Sequence, residues 1–401
     1  MKYNRTLLPA LSILLVTGLL TQCSKSSDNP DPSNPTVSVS PITAVEGTGA
    51  NTSFTFEFTL SAASSQPVSF TISTENGTAT AGADFVAQTG TTVSFAPGET
   101  RKTVAISIVA DEWKENNEDF RLLLANGVNC SLTTPRVSGF IQNDDTQIFF
   151  EDTGFTSPTS YPGYNLVWAD EFNGTALNTS DWNYEVGDGC PNVCGWGNNE
   201  LEWYTNGNNL YLQRGKLIIE ARAESIGGKN YTSSRITTQN KKSFQYGRID
   251  IRAKTPVGRG VWPALWMLGN NINTVSWPAC GEMDIMELLG QEPQTVHATV
   301  HFATPGGPRN ISKSITKAGS FSDAFHVYSL VWEEDRMRFY VDEQLISDVS
   351  RSNITPNNYP FNAPFFFIFN IAVGGNWPGS PDATTVFPQW MFVDYVRVFQ
   401  Q

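Results

Sequence analysis

Positive charge is what this sequence holds least of. Its 26 lysines and arginines face 39 aspartates and glutamates, a net charge of −13. That balance repels nucleic acid and anionic polysaccharide as main partners but raises no objection to a neutral polymer. The same acidity also serves simply to keep a protein soluble. Charged residues are sparse, at 16%, while aromatic residues reach 12%. No helical period is sustained and no repeat of about 20–50 residues is visible, which excludes helical bundles and solenoids. No apolar run attains the roughly 20 residues that a membrane-spanning helix needs. Cysteine is scarce, with five in 401 residues. Cys190 and Cys194 lie in a loop rich in Gly, Pro and Asn, close enough to bridge in an oxidising compartment. Half a zinc site is the competing reading, but no second Cys/His pair at ligand spacing accompanies them.

What is present begins with targeting. Lys2 and Arg5 precede an apolar stretch from Leu7 to Leu20, the pattern of an export signal. Leu20-Thr21-Gln22-Cys23 resembles a bacterial lipoprotein cleavage box, departing from it at Gln22 where a small residue is usual. The resemblance implies a signal over 1–23 and a lipid anchor at Cys23. The membrane is then met only through that lipid, at the outer membrane or cell surface; without the lipid the protein is periplasmic or secreted. Residues 24–35, rich in Ser, Asp, Asn and Pro, read as a flexible tether.

Short alternating strands follow. Phe54, Phe56, Phe58 and Leu60 share one face, as do Val68, Phe70 and Ile72, then Val104, Ile106 and Ile108, then Phe120, Leu122 and Leu124. Gly and Pro clusters separate them. Period-two alternation at this spacing indicates an antiparallel β-sandwich over residues 36–145. Its acids, Glu46, Asp84, Asp111, Glu115, Glu118, Asp144 and Asp145, fall at strand ends and in loops. Carboxylates converging there would suit calcium, a hard cation that takes six to eight oxygens; otherwise they are solvated loop acids. Glu46-Gly47, Thr78-Ala-Thr80-Ala-Gly82-Ala-Asp84-Phe85, Phe95-Ala-Pro-Gly98 and Asn143-Asp144-Asp145 together resemble a Calx-beta domain, of immunoglobulin-like fold. The resemblance implies calcium at those acids.

Residues 146–163, rich in Thr, Ser and Pro, read as a second linker. Beyond it the composition turns to Trp and Asn, and strands at 248–252, 296–302, 327–332, 365–371 and 392–399 predict another all-β unit over 164–401. Its informative segment is Cys280-Gly281-Glu282-Met283-Asp284-Ile285-Met286-Glu287. Glu282 and Asp284 are two apart and project from one face of a strand, with Met283 and Ile285 opposite. Glu287 is five positions from Glu282, so a regular strand would aim it into the core. A β-bulge at Ile285–Met286 returns it to the polar face. Paired carboxyls on one face suit retaining glycoside hydrolysis, in which one attacks and the other donates and takes a proton. Asp284 between them can hydrogen-bond the nucleophile and separate the two pKa values. A strand with three solvated acids is the alternative.

Glu282-Met-Asp284-Ile-Met-Glu287 resembles the catalytic signature of glycoside hydrolase family 16, in the bulged six-residue form of its laminarinase branch. Trp168-Ala-Asp170-Glu171-Phe172, Gly197-Asn-Asn-Glu200-Leu-Glu202-Trp-Tyr204, Gly260-Val-Trp262-Pro-Ala-Leu-Trp266, Asn370 to Pro378 and Asp394-Tyr-Val-Arg397-Val also match. The resemblance implies a concanavalin-like jelly roll of two curved sheets with a glycan cleft. It makes Glu282 the nucleophile, Asp284 its partner and Glu287 the acid/base, and it places His301 near the acid/base. It also implies a structural calcium held by Glu171 and Asp394, with no cofactor for catalysis. Indole rings stack on sugar faces and their N–H groups bond hydroxyls, so Trp203, Trp262, Trp266 and Trp277 are candidate cleft residues, with Asn198, Glu200 and Arg235 as hydrogen-bonding groups. At least one of these tryptophans belongs instead to the core, as Trp182 and Trp332 do.

The expected activity is therefore endo-hydrolysis of a neutral β-1,3-glucan, laminarin, with mixed-linkage β-1,3-1,4-glucan as a further substrate and a single subunit as the working form. A glycan-binding protein idle in catalysis is the alternative from another class. Intact acids at all three positions argue against it. A change of polymer to agarose, carrageenan or xyloglucan would be set by loops that one sequence does not read.

Overall fold

The computed structural model describes residues 34–354 and 359–401. The export signal, Cys23 and nearly all of the tether lie outside the described residues. The chain divides into two compact units, the first ending at Gln147 and the second running from Ile148 to Gln401. Among the described residues no helix is long and apolar enough to cross a membrane.

The first unit is the expected sandwich, a four-stranded and a five-stranded sheet. Strand Thr52–Leu60 alternates as read, sending Phe54, Phe56, Phe58 and Leu60 into the core. There they meet Val68, Phe70, Ile72, Phe120 and Leu122 from the other sheet. Phe120 is the hub: its ring lies 6.2 Å from those of Phe54 and Phe56 and 4.7 Å from that of Phe85. Glycine is required opposite it, since a Cβ at Gly139 would sit 2.6 Å from that ring.

The second unit stacks two large sheets. The inner one contains strands β1 (Asn183–Glu185), β3 (Arg235–Thr237), β4 (Val261–Gly269), β5 (Glu282–Glu287), β6 (Thr295–Thr304), β7 (Gly307–Thr316) and β8 (Phe365–Val373); β2 (Glu202–Tyr204) pairs elsewhere. Their order is β1-β3-β8-β4-β5-β6-β7, an antiparallel run with β5 between β4 and β6. The outer sheet is built around Gly247–Lys254, His326–Glu333 and Gln389–Gln400. One layer of Ile, Val, Leu, Met and Phe from both sheets fills the space between them, with Trp182 and Trp332 in it as read. Strand β8 is buried along its whole length, which its continuous run Phe365-Phe-Phe-Ile-Phe-Asn-Ile-Ala-Val requires.

Residues 146–163 are not a linker. From Ile148 onward the segment is docked on the second unit. Ile148 and Phe150 are buried against Ile218, Phe325 and Phe392. Asp152 bonds Lys216 at 2.9 Å and Arg252 at 2.6 Å, and Tyr161 donates to Asp250 at 2.7 Å. The Ser157 backbone N–H donates to the Tyr395 hydroxyl at 2.8 Å. Polar composition misled because the docking relies on two apolar side chains and a few well-placed polar ones, too few to show a period. Removing one anchor tests this: Phe150→Ala should destabilise the second unit by about 3–5 kcal/mol. Urea unfolding followed by tryptophan emission reads the change, and an unshifted midpoint would mean the segment is a tether after all.

Candidate active site

Strand β5 carries the expected bulge. Glu282 pairs His301, Met283 pairs Val300 and Asp284 pairs Thr299, but Glu287 pairs His297, so two residues of β5 oppose the single Ala298. Ile285 and Met286 both turn into the core, and neither is exposed. All three acids therefore leave the strand on the same side. Two indoles grip the outer pair. Trp277 Nε1 donates to Glu282 at 3.0 Å, and Trp262 Nε1 donates to Glu287 at 3.2 Å.

His301 stands beside Glu282, not beside Glu287 as the family pattern suggested. Its Nε2 lies 3.6 Å from Glu282 and 3.3 Å from Asp284. The approach to Asp284 is off the line of a hydrogen bond, so the buried Asp284 Oδ2 has none. Antiparallel register across the bulge is the reason: it brings His297 opposite Glu287 and carries His301 to the other end.

Burial, then repulsion from Asp284 whenever that carboxyl is ionised, pushes both Glu282 and Glu287 up to about 8. Burial also pushes Asp284 well above the ordinary carboxylate range. Three acids this close cannot all be charged, and their protons belong to the cluster as a whole. Glu282 has the better claim to the first negative charge. It is 17% exposed, accepts the Trp277 N–H and lies against His301. Glu287 accepts the Trp262 N–H and is also favoured in its charged form by Thr299.

A second constellation lies beyond β4. Glu200 accepts from Asn198 Nδ2 and from the Tyr204 hydroxyl, each at 3.2 Å. Asn370 Nδ2 donates to the Tyr204 oxygen at 3.1 Å, and Trp266 Nε1 donates to Asn370 Oδ1 at 2.8 Å. The Arg235 guanidinium lies 4.4 Å from the Trp196 ring centre and 5.0 Å from that of Trp266, and its Nε pairs with Glu185. Arg235 and Glu200 are thus largely spent on holding neighbours. Trp203 does not join this group. Glu202 and Tyr204 face the network, so alternation turns Trp203 the other way, onto a turn where a Cβ at Gly227 would lie 2.1 Å from its ring. The residues that sequence reading left out are Trp196, Asn370 and Trp377. Trp377 is 41% exposed, with ring centres 5.3 Å from Trp262 and 5.1 Å from His297. Its place in Asn376-Trp-Pro378, in a stretch already matched, was the available signal. Cys190 and Cys194 are disulfide-bonded, which removes the zinc reading and closes the loop that presents Trp196.

Glu171 and Asp394 do not form a calcium site. Glu171 is held by Arg397 at 2.7 and 2.8 Å, while Asp394 pairs with Lys216 at 2.8 Å and Arg252 at 2.7 Å. Each negative charge is already matched by a neighbouring cation. The first unit differs. Oxygens of Glu46, Asp144 and Asp145 lie within 4.8 Å of one another, as do those of Asp84, Glu115 and Glu118. Glu46 Oε1 and Asp145 Oδ2 are buried without a hydrogen bond. Asp111 adds its charge to Glu46 and Glu115. Burial, then neighbouring carboxylates, pushes Glu46 and Glu118 each up to about 7. Such a donor set fits a hard cation.

Comparison with known proteins agrees with this geometry. Residues 196–394 match the model of glycosyl hydrolases family 16, and residues 28–146 match the Calx-beta domain. A glucan endo-1,3-beta-glucosidase A1 of Niallia circulans is 44% identical over 278 residues, 63% of this chain and 40% of that protein. The chain thus spans about two fifths of that relative. A beta-glucanase of Rhodothermus marinus is 41% identical over 60% of this chain and 86% of its own length. The laminarinase catalytic domain of Thermotoga maritima superposes with a TM-score of 0.56 at 45% identity, covering 59% of this chain and 98% of that structure.

The raised acids have a consequence for stability. Between the ordinary carboxylate range and about pH 8 the folded state binds more protons at Glu282 and Glu287 than the unfolded chain does. Stability contributed by these groups is therefore full at low pH and is lost as pH rises toward 8. Glu287→Gln, which cannot ionise, should melt higher than wild type at pH 8 and nearly with it at pH 4.5. Calorimetry at the two pH values checks this; equal melting of the two proteins at pH 8 would show that the site is not strained by its charge.

Proposed function

Since the chain belongs to glycosyl hydrolase family 16, we propose that it cleaves internal β-1,3 bonds of a laminarin-type glucan with retention of anomeric configuration, and mixed-linkage β-1,3-1,4-glucan as a further substrate. The observation that carries this reading is the single-residue bulge on β5 that sets Glu282 and Glu287 on one face, each under its own indole. Protonated Glu287 gives its proton to the glycosidic oxygen while the Glu282 carboxylate attacks the anomeric carbon, and the leaving glucan departs as an alcohol. Water, giving a proton back to Glu287, then displaces Glu282 and restores both groups. Asp284, held neutral by burial, lets Glu282 carry charge without a second anion beside it. His301 steadies that charge from 3.6 Å.

Glycan binding follows the rest of the cleft. Trp277 and Trp377 are the exposed indoles at its two sides, and Trp262 and Trp266 lie on β4 beneath. A neutral polymer suits a protein of net charge −13. Either Glu282→Gln or Glu287→Gln should lower kcat on laminarin at least about a hundredfold, and proton NMR of the first products of the wild type should show the β-anomer. Laminarin hydrolysis at the wild-type rate by either variant would refute the assigned roles. A reducing-sugar screen over β-1,3-glucan, mixed-linkage glucan, agarose, carrageenan and xyloglucan decides the polymer.

For the first unit we propose structural calcium at Glu46, Asp144 and Asp145 and at Asp84, Glu115 and Glu118. At the first site support comes from the orphaned buried oxygens of Glu46 and Asp145, which a cation would satisfy, and at the second from the convergence of three carboxyls. Calcium at about a hundred times its dissociation constant should then raise the stability of this unit by about 2.7 kcal/mol. Glu46→Gln should lose part of that gain. Thermal unfolding of the whole protein with calcium and with a chelator measures it, and identical first transitions would exclude the ion.

A further inference from the structure

The Glu200 network contains a second carboxyl, that of Glu202. Glu202, on β2, has no solvent exposure at all, and Glu200 is only 4% exposed. Among the described residues no lysine, arginine or histidine forms an ion pair with Glu202. Its Oε2 accepts the Val373 backbone N–H at 2.6 Å, while its Oε1 is buried and receives no hydrogen bond from any donor. The Glu200 carboxyl lies within hydrogen-bond reach of it.

Two buried carboxylates side by side would be costly, and an oxygen left bare would add to that cost. One proton on Glu202 eases both penalties, because it removes one of the two adjacent charges and gives the pair a donor within reach of Glu200. The rest of the network shows which of the two acids must stay charged. Hydrogens from Asn198 and Tyr204 point at Glu200, the Tyr204 oxygen accepts from Asn370, and Asn370 accepts from Trp266. Every donor in the chain runs toward Glu200. Burial raises Glu200 too, while Arg235, buried between Trp196 and Trp266, favours its negative form.

We propose that Glu202 is a positioning residue: in its protonated form it donates to Glu200 and so holds Tyr204, Asn370 and Trp266 in one hydrogen-bond polarity, fixing the indole of Trp266 on β4 beside the catalytic strand. Trp266 stands opposite Asp284 in the register of β4 and β5, so a shift of this indole is felt next to the reacting groups. Burial, then the charge of Glu200, pushes Glu202 well above the ordinary carboxylate range, in keeping with a retained proton. The other titratable groups around the pair are Tyr204, Arg235 and Lys229, whose Nζ donates to the Glu200 carbonyl at 3.2 Å. Lys229 also lies 3.7 Å from Asp188, and Arg235 is paired with Glu185.

The role rests on the proposed β-glucan cleavage for its kinetic readout, and an infrared readout is independent of it. Glu202→Gln keeps a donor at the same place and should leave kcat/KM on laminarin within about threefold at neutral pH. Glu202→Leu, with no donor, should raise KM about tenfold while kcat changes less. In the wild type KM should climb in alkaline buffer as the shared proton is lost, and Glu202→Gln should abolish that climb. The infrared difference between wild type and Glu202→Gln at neutral pH should contain the C=O band of a protonated carboxyl. Absence of that band, or a Glu202→Gln variant as impaired as Glu202→Leu, overturns the proposal. Should wild-type protein leave laminarin intact, the activity reading fails, and the infrared band still decides the state of Glu202.

Discussion

A strand alternates its side chains strictly, and the chemistry of this molecule depends on one place where β5 breaks that rule. Between Asp284 and Glu287 two consecutive residues, Ile285 and Met286, both enter the core. Without that extra residue Glu287 would point between the sheets, among Met267, Met283 and Leu265, where a carboxyl has no partner. With it, three acids face the cleft and the strand still contributes to the hydrophobic layer beneath. The indoles then complete the work. Trp262 and Trp277 come from different parts of the chain, and each supplies a single N–H to one end of the acid row.

The second unit manages buried charge in two distinct ways. On the outer sheet acids are neutralised: Asp394 by Lys216 and Arg252, Glu171 by Arg397, and Asp250 by Arg248 with help from Ser329. On β5 of the inner sheet the acids Glu282, Asp284 and Glu287 are left short of cations. Protons replace cations there. Groups held in such a state are poised to exchange a proton near neutral pH, which a matched ion pair cannot do.

The docked segment from Ile148 to Tyr161 adds to this division. Asp152 enters the same charge cluster as Asp394, so the start of the second unit is tied to strands carrying Lys216, Arg252 and Asp394, far along the chain. Asp394 is engaged by that cluster and has no free oxygen to offer a metal ion on the terms its family motif suggested. The loop closed by Cys190 and Cys194 makes a similar link on the inner side, where Trp196 covers Arg235.

Much of this was legible in the order of residues alone. Alternation at Phe54, Phe56 and Phe58 and the continuous run from Phe365 to Val373 specify strands because the side-chain period of a strand is local and strict. The odd spacing of Glu287 from Glu282 demanded a bulge for the same reason. Contacts between distant segments were not legible. Trp203 was drawn to the cleft by residue type, yet the direction of a short strand, set by its neighbours Glu202 and Tyr204, turned it away. His301 was placed by family pattern, and the register of β6 across the bulge moved it to the other end of the acid row. Residues 146–163 read as a tether because two buried side chains leave no periodic trace. Local geometry is written in neighbouring residues, whereas partners for Asp394, Glu202 and Phe150 exist only after the sheets have stacked and brought remote atoms within a few ångströms.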